Sequence, residues 1–389
     1  MVVGVPTEIY PGERRVALVP AVLPNLKKAG LEVVVQAGAG AQAGYLDSEY
    51  EAKGAKILPD RAQVFSTADV IVQVLCHGAN DRTGTADMPL LRPGQALIGF
   101  LRPLGSLETV QQVAATGASA FSFELMPRIT RAQNMDALSS MATVAGYKAV
   151  IIAADTLPRM FPMMTTAAGT VTPARALVIG AGVAGLNAIA TAHRLGAISS
   201  GYDVRSAARE QILSLGGRVV QLELETEQAE DQRGYAKAQD EAFYERQREQ
   251  LGRVVAESDV VVTTAVVPGR RPPLLITADA VARMAPGSVI VDMAAERGGN
   301  CELTRSGEIS IQHGVHVIGQ FNLASTVPYH ASQMYARNVV TFLLHLAKDG
   351  QIPLDRDDEI LRETLLTRGG EIVQSRVREF FKLPVLAKS

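Results

Sequence analysis

The sequence predicts an α/β protein with two parallel-sheet domains, one inserted into the other and joined to it by long helices. Short apolar runs alternate with segments of helical periodicity along the chain, a pattern that is typical of βαβ units. The 389 residues exceed the size of one ordinary domain and are enough for two. A long segment rich in Ala and Met separates a first α/β series from a second.

The first series occupies the N-terminal third of the chain. Helical spacing is found at Pro20–Ala29 and Leu107–Thr116. From Met135 to about Thr156 the sequence predicts one long helix, which we interpret as a strut between the two halves. The strands predicted in this series lie near Val2–Val5, Glu32–Val35, Val70–Val74, Ala96–Leu101 and Ala120–Glu124.

The second series begins at Arg175. Its charge-rich segment between Leu222 and Arg253 is either a solvated helix with a flexible lead-in or a mobile loop with a hinge at Gly234. The apolar helical pattern at Ser332–Gly350 is expected to pack back on the first half, which gives a discontinuous domain of residues 1–137 plus 326–389 around an inserted domain of residues 138–325. The predicted strands are Ala176–Ile179, Ala197–Tyr202, Arg218–Gln221, Asp259–Thr263, Ser288–Asp292 and Val315–Ile318.

The composition excludes several classes of function. A net charge of −2 provides no basic excess for a phosphate backbone, so nucleic acid is not expected as a partner. Cys76 and Cys301 have no CxxC spacing, and the six histidines show no ligand cluster, which predicts a reduced cytoplasmic setting and no metal. The N-terminus lacks the pattern of a signal peptide. Lys148 and Asp155 interrupt the most apolar stretch, so we expect no membrane crossing by this chain itself.

The most informative local motif is a glycine-rich turn between a strand and a helix. The strand Ala176–Ile179 runs directly into Gly-Ala-Gly-Val-Ala-Gly at residues 180–185, which has the spacing GxGxxG, and a helical pattern follows. Gly180 would permit the tight turn, Gly182 would let a pyrophosphate approach the backbone, and Gly185 would let the helix pack close to the strand. Phosphates would then face the N–H groups at the start of the helix. This context predicts a Rossmann-like dinucleotide-binding domain.

The residue at the end of the next strand indicates which dinucleotide is preferred. Asp203 stands where an acidic side chain accepts hydrogen bonds from the adenosine ribose and repels a 2′-phosphate, which favours NAD(H) over NADP(H). Arg205 weakens this preference, because an arginine there can accommodate the same phosphate.

Four further segments carry a resemblance to a known family. They are GVPTEIYPGERRVALVP near the N-terminus, PRITRAQNMDALSS at residues 127–140, GYAK at residues 234–237 and VDMAAERGGN at residues 291–300. With the glycine turn in register, the chain resembles the soluble NAD(H)-binding α subunit of proton-translocating NAD(P) transhydrogenase. Alanine dehydrogenase shares the fold and several of these motifs.

The resemblance implies a function that needs partner subunits. In that family, hydride passes directly between NAD(H) on this subunit and NADP(H) on a β subunit, with Re/Si specificity, and a membrane-spanning subunit translocates protons. Such chemistry depends on proximity and orientation of the two nicotinamides rather than on an acid or nucleophile of the protein. The resemblance also implies a homodimer that is cytoplasmic and is attached peripherally to the membrane through its partners.

The resemblance further assigns roles to individual positions. The catalytic residues, which would lie in the loop over the nicotinamide and also contact the nucleotide, are Arg128, Gln133 and Asp136. The other NAD(H)-binding positions are Ser139, Gly180, Gly182, Val183, Gly185, Asp203, Val204, Arg205, Gly234, Tyr235, Gln247 and Val266.

Some of these residues also have a structural interpretation. Arg128 and Asp136 could form an ion pair at a hinge, Ser139 could be an ordinary residue early in a helix, and Tyr235 could be an exposed loop tyrosine.

Two other functions compete with the transhydrogenase hypothesis. An alanine-dehydrogenase-like enzyme would use Arg15 to bind a substrate carboxylate, together with a lysine and a histidine. Strand alignment places Gln73 and Arg102 at those two positions, and neither side chain is suited to proton transfer at neutral pH. Arg15 is therefore expected to have a structural role. A non-catalytic NAD-binding protein is the third hypothesis, and the segment from Arg128 to Ser139 argues against it.

Overall fold

The computed structural model describes residues 1–224, 240–267, 269–355 and 357–384. The chain divides into two compact units, one of Met1–Met141 with Ser325–Ser389 and the other of Ala142–Ala324. The second unit is thus inserted in sequence between the two parts of the first.

The first unit starts with alternating strands and helices. Its N-terminal part contains the helices α1 (Leu23–Lys28), α2 (Asp47–Ala52), α3 (Arg61–Thr67) and α4 (Leu107–Ala115). Asp60 and Ser106 cap α3 and α4, because each side chain accepts a hydrogen bond from a backbone N–H of the first turn. The strands are β1 (Val2–Val5), β2 (Glu32–Gln36), β3 (Lys56–Leu58), β4 (Val70–Leu75), β5 (Ala96–Phe100) and β6 (Ser119–Ser122).

A long helix, α5 (Ala137–Thr156), begins in the first unit and continues into the second. The hairpin β7 (Met164–Thr166) and β8 (Gly169–Val171) follows it. The strands of the main sheet in the second unit are β9 (Arg175–Ile179), β10 (Ile198–Tyr202), β11 (Arg218–Val219), β12 (Val260–Thr263), β13 (Val289–Asp292), β14 (Ile309–Gln312) and β15 (Val315–Ile318). The helices between them are α6 (Val183–Arg194), α7 (Ala208–Ser214), α8 (Glu241–Ala256) and α9 (Ala278–Ala282).

The C-terminal segment returns to the first unit. Its longest helix, α10, has Pro328 in its first turn, where a proline does not interrupt a helical hydrogen bond. The elements are α10 (Pro328–Leu346), α11 (Glu359–Thr364), β16 (Leu365–Arg368), β17 (Glu371–Ile372) and α12 (Ser375–Phe380).

Both main sheets have the same strand order at their centre. In the first unit the order is β17-β16-β6-β5-β4-β1-β2-β3, with β1 to β6 parallel and β16 and β17 antiparallel. In the second unit the order is β11-β10-β9-β12-β13-β15-β14, with β14 antiparallel. The parallel strands of each sheet therefore follow the doubly wound 3-2-1-4-5-6 order of the Rossmann fold. The predicted fold class is confirmed.

Helix α5 is apolar enough for two interpretations. By length and composition alone it is the helix, among the described residues, that could cross a membrane, with a mean hydropathy of 1.4 over its most apolar window. In the structure, however, its residues Ala149, Val150 and Ala153 are fully buried in the core of the second unit. They pack there with β9, β12 and α6. This is the behaviour of a core helix in an α/β protein.

The differences from the predicted elements have local causes. Strand β3 was not predicted, because three residues are too few to show a period. The strand predicted at Ala120–Glu124 ends at Ser122, where the backbone turns into a 3-10 helix. The strands β14, β16 and β17 were also missed, and each of them lies in an antiparallel edge pair of a mainly parallel sheet.

Candidate dinucleotide site

The predicted glycine turn joins β9 to α6 at the carboxyl edge of the second sheet. Gly180 has φ +96°, a left-handed conformation that favours glycine. The Gly180 carbonyl accepts a hydrogen bond from Thr264 Oγ1 at 2.8 Å, which joins the turn to the loop after β12. β9 and β12 are the neighbours at which the strand order reverses, so the turn lies at the topological switch point where α/β proteins bind ligands.

Two other glycines are required by close packing around this turn. A Cβ at Gly185 would lie 1.8 Å from the carbonyl oxygen of Gly180, so only glycine lets α6 approach the turn. A Cβ at Gly146 of α5 would lie 2.1 Å from the carbonyl oxygen of Ala184. Helix α5 is therefore packed directly against the first turn of α6.

Gly182 differs from these positions because nothing in the protein requires a glycine there. Its φ of −76° is ordinary, and an added Cβ would meet no atom within 4 Å. The next residue, Val183, begins α6 and is 38% exposed. The backbone at the start of α6 is thus open to a ligand, as a pyrophosphate at a helix N-terminus requires.

Asp203 follows β10 and holds the turn from the other side. Its Oδ2 accepts a hydrogen bond from the Ala181 N–H at 2.7 Å. Its Oδ1 accepts the Arg205 backbone N–H at 2.9 Å. The Arg205 guanidinium binds both carboxylate oxygens, with Nε–Oδ1 at 2.9 Å and Nη2–Oδ2 at 2.8 Å. Ribose hydroxyls that bind this carboxylate therefore have to replace the arginine side chain.

The remaining predicted contacts of the second unit differ in exposure. Val266, in the loop after β12, is 38% exposed, and Val204 is half-buried. Gln247 of α8 is 1% exposed, and its Nε2 donates to the hydroxyl of Tyr202 at 2.8 Å. Burial raises the pKa of Tyr202 to about 12, so this hydroxyl is protonated at neutral pH. In this structure Gln247 thus supports β10 from inside the protein.

The loop predicted to contact the nicotinamide lies in the first unit, in and around a 3-10 helix at Thr130–Met135. Ala132 and Met135 are buried. Arg131 pairs with Asp358 at 3.1 Å.

The same loop is also joined to α10, because Asn338 Nδ2 donates to the Asn134 carbonyl at 2.9 Å. Between these anchors, Arg128 and Gln133 are exposed. The loop is therefore fixed to its own unit while two of the predicted functional side chains face outward.

Asp136 and Ser139 have a structural role that the sequence did not reveal. Asp136 Oδ1 accepts the Ser139 N–H at 2.8 Å, and Asp136 Oδ2 accepts the Ser139 hydroxyl at 2.6 Å. Asp136 thus caps the N-terminus of α5. The pair fixes the direction in which α5 leaves the loop, and both side chains remain half-buried.

The positions that would form an amino-acid pocket are engaged within the protein. Arg15 is 4% exposed, and its guanidinium binds both oxygens of Glu13, at 2.8 and 2.6 Å. Gln73 is 1% exposed and donates to Asp87 at 3.0 Å. Arg102 has φ +48°, and its side chain reaches Asp81 at 3.3 Å. The geometry of Arg15 fits the structural role that the sequence predicted for it.

Other predicted features have different outcomes. Gly234 and Tyr235 lie outside the described residues. Within those residues, no group of three or more His, Cys, Asp or Glu side chains is placed to hold a metal ion. Thr264, which joins the glycine turn to the loop after β12, was missed, although its position after a strand at the switch point is a usable signal.

Comparison with known proteins identifies the family. Residues 4–145 match the N-terminal domain of alanine dehydrogenase/PNT, and residues 149–375 match the C-terminal domain. The chain belongs to the alanine dehydrogenase/PNT family. It is 44% identical to an NAD(P) transhydrogenase subunit alpha chain of Rhodospirillum rubrum over 376 residues, which cover 96% of this chain and 98% of that protein.

A solved structure and a more distant relative agree with this assignment. A transhydrogenase crystal structure from Sinorhizobium meliloti superposes with a TM-score of 0.83 at 40% identity, covering 97% of this chain and 100% of that one. An alanine dehydrogenase of Mycolicibacterium smegmatis is 29% identical, covering 99% of this chain and 98% of that protein. The family, and with it an NAD(H)-binding fold of the transhydrogenase type, is thereby established.

Proposed function

We propose that this chain is the NAD(H)-binding subunit of an NAD(P) transhydrogenase. It holds NAD(H) for direct, Re/Si-specific hydride transfer to or from NADP(H) on a partner β subunit, and a membrane-spanning partner couples the transfer to proton translocation. The observation that carries the proposal is the glycine turn with an open Gly182, in a chain 44% identical over nearly its whole length to a transhydrogenase α subunit.

The residues present fit a dinucleotide. The N–H groups at the start of α6 and the backbone at Gly182 and Val183 would bind the pyrophosphate, while Asp203, Val204 and Arg205 would bind the adenosine end. When bound, NAD(H) supplies the hydride or accepts it.

On this proposal the protein contributes orientation and the exclusion of water. Arg128, Gln133, Asp136 and Ser139 would contact the nicotinamide end, with Val266, Gln247 and the segment at Gly234 and Tyr235 as further contacts. Asp136 and Ser139 would do so partly by fixing the start of α5. The assembled enzyme would be a homodimer of this chain with its partners, cytoplasmic and peripheral to the membrane.

A pair of assays separates this proposal from its rivals. The purified chain should bind NADH, show no alanine-dependent reduction of NAD⁺, and exchange hydride between NADH and an NADP⁺ analogue when the NADP(H)-binding domain of a transhydrogenase is added. Alanine turnover by the chain alone would favour the alanine-dehydrogenase alternative. Binding of NADH without activity in either assay would favour a non-catalytic NAD-binding protein.

A further inference from the structure

We propose that Asn300 is a positioning residue for the nicotinamide half of the dinucleotide site, acting through the loop after β12 and held in place by Asp292. This inference rests on the proposed function, since it concerns the same bound NAD(H). It starts from a buried polar cluster to which neither the glycine fingerprint nor the loop at residues 128–139 assigns a role.

Asp292 ends β13 and is fully buried. Its Oδ1 accepts hydrogen bonds from the Thr263 hydroxyl at 2.9 Å and the Ala294 N–H at 3.0 Å. Its Oδ2 accepts the N–H groups of Asn300 at 2.8 Å and Cys301 at 3.1 Å, and also the Thr304 hydroxyl at 2.7 Å. One carboxylate therefore joins the ends of β12 and β13 to the loop that follows β13.

The glycine before Asn300 is required by this arrangement. Gly299 has φ +80°, and a Cβ on it would lie 2.6 Å from Asp292 Oδ2. The loop can thus bring the Asn300 N–H to the carboxylate only if residue 299 has no side chain. The segment VDMAAERGGN is explained as one unit, in which the first acid holds the last asparagine.

The Asn300 side chain extends this cluster to the loop after β12. Its Nδ2 donates to the carbonyl oxygens of Ala265 and Pro273, both at 2.9 Å. Because both partners are acceptors, the amide orientation is determined by the hydrogen bonds. Asn300 thereby fixes the carbonyl of the residue immediately before Val266, which is exposed at the carboxyl edge of the sheet.

The position of this cluster points to the nicotinamide half. A doubly wound sheet binds a dinucleotide across its switch point, one mononucleotide on each side. Asp203 marks the adenosine side at β10, so β12 and β13 form the other side. Asn300 Oδ1 is also buried without a hydrogen-bond partner in the described structure. Such a group is costly to folding, which argues for a role of this amide beyond stability.

The test compares NADH with ADP-ribose, which lacks the nicotinamide. For Asn300→Ala we expect NADH affinity to fall about tenfold, the scale of one or two hydrogen bonds, while ADP-ribose affinity stays within about twofold. Hydride exchange at saturating NADH, with the partner domain added, should also fall about tenfold. Ser258→Ala is the control, because Ser258 loses a hydrogen bond to Val254 at the opposite end of β12 and should change neither quantity.

Several outcomes are decisive. Equal losses for NADH and ADP-ribose, or no change in both the affinity ratio and the exchange rate, would overturn the proposal. If Asn300→Ala does not fold, Asn300→Asp provides the same comparison, since it keeps the shape and loses both Nδ2 donors. Hydride exchange that is missing in the wild type while the affinity ratio still falls in the variant would refute the transfer function and leave the positioning role intact.

Discussion

Replacing Asp203 by asparagine should change the dinucleotide preference of the chain from two directions at once. The carboxylate binds the Arg205 guanidinium through both oxygens, and the side chains of the pair are only 7% and 17% exposed. Asp203→Asn removes the charge that repels a 2′-phosphate, and it also releases the guanidinium. We therefore expect weaker binding of NADH and stronger binding of NADPH.

The magnitudes follow from the contacts. A hydrogen bond to a charged acceptor contributes about 1.5–3 kcal/mol, and the amide loses the charge and one acceptor, so NADH affinity should fall by ~30-fold. A freed guanidinium that reaches a phosphate gains a charge-assisted contact, which at this partly exposed position we expect to strengthen NADPH binding by ~10-fold.

The assay is calorimetric titration of both nucleotides into four proteins: the wild type, Asp203→Asn, Arg205→Gln and the double variant. If the released arginine causes the gain, the double variant should lose the NADPH gain but keep the NADH loss, so the cycle is non-additive for NADPH. Additive effects, or an unchanged NADPH affinity in Asp203→Asn, would refute the reasoning.

Three further predictions concern the loop, a buried acid and the helix contact. Gln133→Asn should slow hydride exchange ~10-fold more than it weakens NADH binding, because an exposed side chain on a fixed loop acts on alignment. Burial, with the nearby Glu13, raises the pKa of Glu8 to about 8 from 4.5. The folded chain therefore retains a proton that the unfolded chain releases, and the stability that this provides is full below pH 4.5 and is lost as the pH rises toward 8. Between about pH 5 and 8 the unfolding free energy of the wild type should fall more than that of Glu8→Gln, by up to about 4 kcal/mol in urea titrations. Gly146→Ala should lower the unfolding free energy by about 1–3 kcal/mol, because the clash with α6 outweighs the better helix propensity of alanine.

Each of these has an outcome that contradicts it. Equal losses of exchange and binding in Gln133→Asn would assign that residue a supporting role only. Parallel pH profiles for the wild type and Glu8→Gln would mean that Glu8 does not retain its proton in the folded state. A stabilised Gly146→Ala variant would show that α5 does not approach α6 closely.

The periodicity of the sequence was sufficient for the fold because most strands are buried and parallel. Such strands appear as continuous apolar runs, as at Val289–Asp292, and the loops between them contain clear turn residues. The short strands Lys56–Leu58 and Glu371–Ile372 carry too few residues to show a period. The exposed hairpin at Met164–Val171 was interpreted as irregular, since its burial does not alternate.

Prediction of the site succeeded where backbone geometry selects one residue type, as at Gly180, whose positive φ and position after a strand are encoded by glycine itself. It was less complete where a side chain acts through another. The pairing of Asp136 with Ser139 and of Asp203 with Arg205 depends on rotamers that spacing does not define. The role of Asn300 depends on a loop that returns to β12, although its motif was visible. The individual site residues remain predictions.

Gly182→Val tests most directly whether the turn at residues 180–185 binds the diphosphate. The protein itself leaves this position free, with an ordinary φ of −76° and no atom within 4 Å of an added Cβ. The variant should therefore unfold at the temperature of the wild type, yet bind NADH at least ~100-fold more weakly in a calorimetric titration, because the side chain blocks close approach of the pyrophosphate. An unchanged Kd for NADH in a variant of unchanged stability would place the dinucleotide elsewhere and contradict the account.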